Sequence, residues 1–369
     1  RMDKYMDSMN KNNTDKIIDD ASNRILLDDF QKVLQQNIEF NNFKGKTFLI
    51  TGATGLIGSL LVKFLLYCNQ KMNLGVHVIP FVRNEEKAIK ILGTYMDDEA
   101  LSLYIGELGK GKEINCAHVD YIIHAAAITQ SKVMVEKPVE TILTAVKGTE
   151  EILNFAVKTK AEAVVYISSM EVYGQMDTNE MATEDKLGYV DLKNIRSCYP
   201  EGKRMCECLC NAFAAEYSLN VVTARLAQTF GAGILPGENR VFAQFARSAM
   251  NKEDIVLHTT GESEGNYVYT ADALAAIMIL LQKGKTGEAY NVANEDSHTT
   301  IKNMAEMVAS EIADSQIKVV IDIPADDAKL GYAPMTRMHL SSQKLQCLGW
   351  KPEIALKEAY QRMIVWMKN

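Results

Sequence analysis

Residues 47–58 read Thr-Phe-Leu-Ile-Thr-Gly-Ala-Thr-Gly-Leu-Ile-Gly, a short apolar run that ends in glycines spaced G-x-x-G-x-x-G and passes into the helical stretch Ser59–Leu66. Three glycines can serve an ordinary strand-to-helix turn. Set between the strand-forming Phe48-Leu49-Ile50 and a helix, they suit a dinucleotide. Gly52 permits the tight turn, Gly55 has no Cβ to hold the backbone away from a pyrophosphate, and Gly58 lets the helix pack closely on its strand. Thr54, Leu56 and Ile57 complete the turn. The free N–H groups of the helix N-terminus then face the phosphates.

Working outward, strands and helices alternate, the pattern of a parallel sheet covered on both faces. Strands are expected at 76–82, Leu101–Ile105, Tyr121–Ala125, Val164–Ser168 and Val221–Leu226, with helices near 85–96, 138–159 and 200–218. From Gln228 the rhythm breaks into a loop crowded by Gly231, Gly233, Pro236 and Gly237. The expected fold is α/β: a Rossmann-type doubly wound parallel sheet with a smaller C-terminal substrate lobe over the strand ends. The expected boundaries are an N-terminal extension over 1–44, charged and partly helical, and a dinucleotide-binding domain over 45–230 to which 263–293 returns. The substrate lobe takes 231–262 and 294–369.

A net charge of -7 without long blocks gives no electrostatic footprint for nucleic acid. There is no membrane-length apolar run, and the polar N-terminal stretch does not read as a signal peptide, so a cytoplasmic protein is expected. None of the seven cysteines forms a C-x-x-C pair, and no metal site is expected. Cys206 and Cys210 share a helix face that Cys208 leaves, without a neighbouring histidine. His124, His258, Met304 and Met307 read as structural residues.

The chemistry is expected at Ser169, Tyr199 and Lys203. Tyr199 and Lys203 lie four apart at the start of a helix and so share a face, where an ammonium beside a phenol favours the phenolate. Such a tyrosine can take the proton of an alcohol while a nicotinamide takes the hydride. Ser169, at the end of its strand, can hold the substrate oxygen against the phenol. A surface tyrosine–lysine pair is the bland alternative; the glycine turn upstream argues against it.

Together, TGATGLIG (51–58), HAAA (124–127), SSMEVYG (168–174), YPEGK (199–203) and LGWKP (348–352) resemble the extended short-chain dehydrogenase/reductases, the NAD-dependent epimerase/dehydratase branch that modifies nucleotide sugars. The resemblance spans Lys46 to Trp350. It implies an NAD or NADP site, a nucleoside-diphosphate sugar substrate and a homodimer joined by a four-helix bundle. It also implies catalytic roles for Ser169, Glu171, Tyr199 and Lys203. Gly52, Gly55, Gly58, Glu107, Leu108, Ala125, Ala126 and Ala127 would bind cofactor beside Tyr199 and Lys203. Thr129, Ser169, Gln228, Arg240 and Arg337 would bind substrate.

The motifs look most like those of UDP-glucuronate decarboxylases, and next like those of dTDP-glucose 4,6-dehydratases. Two departures bear on the substrate: Gly231-Ala232-Gly233 stands where Gly-Pro-Arg is usual, and Gly265 stands where an arginine is. Met170 replaces the aspartate of the dehydratases, and a thioether cannot donate a proton. Val82 occupies the place of the residue that holds the adenosine ribose, and Arg83 follows, so NAD and NADP both remain open. The expected activity is oxidation at sugar C4 to a keto form on which decarboxylation or epimerisation occurs. An NADP-dependent reductase of a keto sugar or polyol precursor, and a non-catalytic cofactor-binding regulator, are the alternatives.

Overall fold

A computed structural model describes residues 21–116, 118–176, 180–323 and 335–368. Along the chain the strands are β1 (Thr47–Thr51), β2 (His77–Val82), β3 (Tyr104–Ile105), β4 (Tyr121–His124), β5 (Ala163–Ser169), β6 (Val221–Leu226), β7 (Gln228–Phe230), β8 (Ile255–Leu257), β9 (Glu264–Tyr269), β10 (Ala289–Val292), β11 (Asn294–Thr300) and β12 (Val319–Ile321). The α-helices are α1 (Ala21–Leu34), α2 (Leu56–Met72), α3 (Glu85–Leu92), α4 (Ser131–Glu136), α5 (Pro138–Thr159), α6 (Cys198–Tyr217), α7 (Val241–Asn251), α8 (Thr270–Lys283), α9 (Ile301–Met307), α10 (Gln343–Gln346) and α11 (Leu356–Met367).

Seven strands form one sheet in the order β10-β6-β5-β4-β1-β2-β3, every neighbouring pair parallel. Its central strands are buried on both faces, which is why TFLIT, YIIH and AVVYISS run apolar almost without alternation. The chain order reverses between β1 and β4. Ligands bind at such a switch point, beyond the carboxyl ends of the strands. The glycine turn leaves β1 there, and the Ala125–Ala127 segment leaves β4.

Two smaller sheets follow. In one, β9 lies between β7, to which it is parallel, and β11, to which it is antiparallel; in the other, β8 pairs with β12. Phe230 stacks on Phe242 at 4.7 Å between ring centroids and meets Tyr360 at 5.1 Å, which ties β7, α7 and α11 into one core. Helix α1 belongs to the same packing. Leu26, Phe30 and Val33 are buried along one face, and Phe30 lies 5.5 Å from both Phe64 and Tyr67 of α2. Its Asp29 accepts a 2.6 Å hydrogen bond from Tyr269 and a 2.9 Å bond from Arg362.

Three expected elements differ in extent. The helix near 85–96 is α-helical only to Leu92, because Gly93 at φ +56° closes it before a 3-10 turn. The strand expected from Leu101 shortens to Tyr104–Ile105, with Leu101 making an isolated bridge to Val78. The strand at 289–292, which completes the sheet beside β6, is only four residues long and carries no turn-flanked alternation that would announce it.

Candidate active site

The three glycines of the turn divide their work. Gly52 has φ +66°, and a Cβ there would lie 2.7 Å from the carbonyl of Ala125. A Cβ on Gly58 would lie 2.3 Å from Gly52 O, so the chain itself fills both places. Gly55 caps α2 in an extended conformation, and a Cβ on it would meet only Gly52 O, at 3.1 Å. The opening at Gly55, in front of the unpaired N–H groups of Leu56, Ile57 and Gly58, fits a pyrophosphate.

A chain of buried hydrogen bonds holds the floor of this crevice. Ala126 N–H donates to Thr51 Oγ1 at 3.1 Å, Thr51 meets His124 Nδ1 at 2.7 Å, His124 Nε2 meets Thr149 Oγ1 at 3.1 Å, and Thr149 donates to Cys206 Sγ at 3.3 Å. With Thr149 as donor to sulfur, the proton of His124 sits on Nε2 and Thr51 donates to Nδ1. Burial and the nearby Lys203 charge bring the imidazole down to about 3, so it stays neutral. His124 aligns β4 with β1 and α5; it has no acid/base part.

Ser169 ends β5, Tyr199 is the second residue of α6, and Lys203 follows one turn later. The three converge. Ser169 lies close enough to the Tyr199 phenol to favour its ionised form, and Lys203 Nζ lies 5.9 Å from the Tyr199 ring centroid. Lys203 donates to Ile167 O at 2.7 Å and lies 4.8 Å from the Tyr166 ring centroid. Burial lowers the lysine to about 8. A small cavity beside Tyr199 and Lys203 is lined by Ala127, Ile128, Thr141, Ala145 and Cys198.

The phenol departs from the sequence expectation. Burial pushes it well above the usual tyrosine range, and the Glu171 charge adds to this, whereas Ser169, Arg196 and Arg240 act in the opposite sense. Desolvation outweighs the neighbouring cations, so the phenol of the ligand-free protein is harder to ionise than a free tyrosine.

Glu171 lies in the 3-10 turn Met170–Tyr173 and donates its N–H to Ser169 Oγ at 3.2 Å. Its carboxylate is gripped by Arg196, at 2.6 and 3.0 Å. Arg196 was not singled out in the sequence, although a cation three residues before Tyr199 was the available signal. Behind the site, Glu207 of α6 accepts from Ser168 at 2.6 Å and pairs with Arg225 of β6 at 2.7 Å, which fixes α6 on the sheet; nothing in the spacing of these residues pointed to the pair.

The other expected residues are spread around the crevice. Arg83 is exposed just beyond β2. Glu107, 3.7 Å from Lys110, and the buried Leu108 follow β3. Thr129 is exposed beyond the Ala125–Ala127 segment, and Gln228 opens β7, half-buried. Arg240 caps α7 and pairs with Glu238 at 2.7 Å. Arg337 bridges the backbone of Glu264 at the far side of the small sheet. The turn, the neutral histidine and the Ser169–Tyr199–Lys203 face bring a dinucleotide site and a proton-transfer group to the same strand ends. That is the arrangement of a nicotinamide-dependent dehydrogenase fold.

The sequence matches the NAD dependent epimerase/dehydratase family over residues 48–293, and the chain belongs to that family of NAD-dependent enzymes. It is 29% identical over 321 residues to UDP-glucuronic acid decarboxylase 6 of Arabidopsis thaliana, covering 85% of this chain and 87% of that protein. It is 23% identical over 346 residues to the dTDP-D-glucose 4,6-dehydratase of Bos taurus, covering 88% and 89%. In fold it is similar to UDP-glucuronic acid 4-epimerase from Bacillus cereus, solved with UDP-glucuronic acid and NAD, with a TM-score of 0.70 and 19% identity over 87% of this chain and 99% of that one. Among the described residues no helix is long and apolar enough to cross a membrane, and no group of three or more His, Cys, Asp or Glu is placed to hold a metal ion.

Proposed function

We propose that this enzyme oxidises the C4 hydroxyl of a nucleoside-diphosphate sugar and that the keto sugar then loses its C5 carboxylate, in the manner of a UDP-glucuronate decarboxylase. The observation that carries the reading is the Glu171 carboxylate, fixed beside Ser169 and Tyr199, with Met170 where acid-assisted elimination would need a proton donor. The similarity to a UDP-glucuronic acid decarboxylase supports it.

NAD would be held by Gly52, Gly55, Gly58 and the α2 N-terminus, with Ala125–Ala127 along its floor, and when bound it would supply a two-electron acceptor that takes the C4 hydride and gives it back to the C4 ketone once the carboxylate is lost. Ser169 orients the C4 oxygen, and Tyr199, backed by Lys203, receives the hydroxyl proton and later returns it. A ketone at C4 makes the C5 carboxylate that of a β-keto acid. The C5–carboxylate bond breaks, its electron pair passes to the enolate, CO2 leaves, and C5 takes a proton. Glu171, as an anion, disfavours the bound carboxylate next to it.

The described cysteines are free thiols, which supports a reducing, cytoplasmic setting. Val139, Leu143 and Met205 stand exposed on α5 and α6, which supports a homodimer through these helices. The test is mass spectrometry of the purified protein, for co-purifying dinucleotide, and of incubations with UDP-glucuronate, UDP-glucose and dTDP-glucose. Loss of CO2 from UDP-glucuronate is expected; an unchanged UDP-glucuronate beside a converted neutral sugar would overturn the reading.

A further inference from the structure

We infer that Arg196 is a positioning residue for the reaction: it clamps the Glu171 carboxylate and cancels, at the Tyr199 phenol, the charge that Glu171 places there. The inference rests on the reading of Tyr199 as the acid/base and Glu171 as the carboxylate that acts at the sugar.

The geometry is specific. Arg196 comes from the 3-10 turn Ile195–Ser197, directly ahead of α6, and that turn is pinned by Asn194, whose side chain accepts from Arg196 N–H at 3.0 Å. Both terminal nitrogens go to the two Glu171 oxygens, the end-on bidentate form that fixes a carboxylate in orientation as well as position. The side chains are largely covered, 18% exposed for Arg196 and 25% for Glu171. Arg196 Nε is buried with no hydrogen-bond partner among the described residues. A half-buried pair that leaves one donor dry costs desolvation and is a poor device for stability. Its value lies in where it holds Glu171.

The second half of the inference follows from the neighbourhood. The groups whose charge or polarity reaches the Tyr199 phenol are Ser169 of β5, Glu171 of the following turn, Arg196 ahead of α6 and Arg240 at the start of α7. Lys203 of α6 lies below the ring, and neutral Tyr166 and His124 lie beyond it. Glu171 is the anion that opposes ionisation of the phenol, since the Glu238 carboxylate is paired with Arg240 at 2.7 Å. Without Arg196 its full charge would oppose the phenolate that proton abstraction requires, and the carboxylate would be free to swing. Arg196 lets one site hold an anion for the sugar and still ionise a tyrosine.

Removing the arginine should therefore do more harm than removing both partners. NAD-loaded protein, isotopically labelled at tyrosine Cζ, is followed by NMR, with Tyr199→Phe assigning the signal. The readout is the phenolate fraction at the highest pH at which all variants stay folded by circular dichroism. Arg196→Gln should lower that fraction and Glu171→Gln raise it, by about tenfold each for a shift of one pH unit, and the double variant should lie near wild type. Arg196→Lys, which keeps the charge and loses the bidentate grip, should leave the fraction near wild type and still slow turnover of UDP-glucuronate. In that turnover, Arg196→Gln should lower kcat with little change in KM, and the double variant should be no slower than Glu171→Gln alone.

Equal phenolate fractions in wild type and Arg196→Gln would overturn the inference. So would a double variant slower than either single one. Should Arg196→Gln fail to fold, the double variant against Glu171→Gln decides: the latter should hold the higher phenolate fraction, and equality would overturn the inference. The NMR arm needs no sugar. If the charge pattern holds while UDP-glucuronate is untouched by wild type, the decarboxylase reading fails and the assignment of Arg196 stands.

Discussion

The loops at 52–58 and 231–233 are both glycine-rich and both follow a strand, yet they are built for opposite ends. In the first, the backbone fills the space beside Gly52 and Gly58 and leaves an opening only at Gly55. In the second, a Cβ on Gly231 would lie 2.4 Å from the Tyr269 ring and one on Gly233, at φ +94°, would lie 2.6 Å from Leu60. Ala232 N–H reaches Tyr269 Oη at 3.3 Å, and Tyr269 in turn donates to Asp29 of α1. The first loop is a mouth and the second a joint. A glycine count cannot separate the two; what the missing Cβ would touch does.

The difference also explains the substrate lobe. The Gly231–Gly233 stretch cannot carry an arginine without displacing Leu60, so the departure from Gly-Pro-Arg is built into the backbone. At Gly265 the space is open, with Met338 O at 4.0 Å the nearest atom to an added Cβ, and the absence of a cation there is a choice of sequence. The residues expected to hold the cofactor form local motifs, whereas those proposed for the sugar, such as Arg337 and Arg240, are scattered along the chain.

Five substitutions can break or sharpen this contrast. Tyr199→Phe should lower turnover at least ~10²-fold while calorimetry finds NAD binding nearly intact; near-normal turnover would move the proton transfer elsewhere. Gly55→Val should abolish NAD binding with the thermal midpoint almost unchanged, while Gly231→Ala should cost about 1–3 kcal/mol of stability, read by denaturant unfolding, as an overpacked core position does. The opposite pattern would exchange mouth and joint. Arg337→Ala should raise KM for the nucleotide sugar by roughly tenfold, the worth of one charge-assisted contact, without affecting NAD. The smallest effect is expected at Arg83: Arg83→Ala should weaken NADP and leave NAD little changed, as comparative calorimetry would show.

The cofactor half was legible in the sequence because its determinants are contiguous. A buried strand, a glycine turn and a helix announce themselves within residues 47–66, and the spacing of Tyr199 and Lys203 put both on one face of α6. The Glu171–Arg196 ion pair was not legible. The two residues are joined by folding and not by spacing, and the burial that raises Tyr199 against the pull of Arg196 and Arg240 is invisible to a helix face. Helix α1 shows the middle case: Leu26, Phe30 and Val33 make an amphipathic stripe, but its partners on α2 and α11 lie far along the chain.

The central claim is that oxidation at the sugar precedes and is separable from the step Glu171 serves. The measurement is rapid mixing of NAD-loaded Glu171→Gln protein with UDP-glucuronate, followed by NADH absorbance and by mass spectrometry of the quenched sugar. The account predicts NADH that persists through the first turnover together with a keto sugar that still carries its carboxylate, and slow release of CO2. Neither extra NADH nor a keto sugar, in a variant that still binds both ligands, would contradict it.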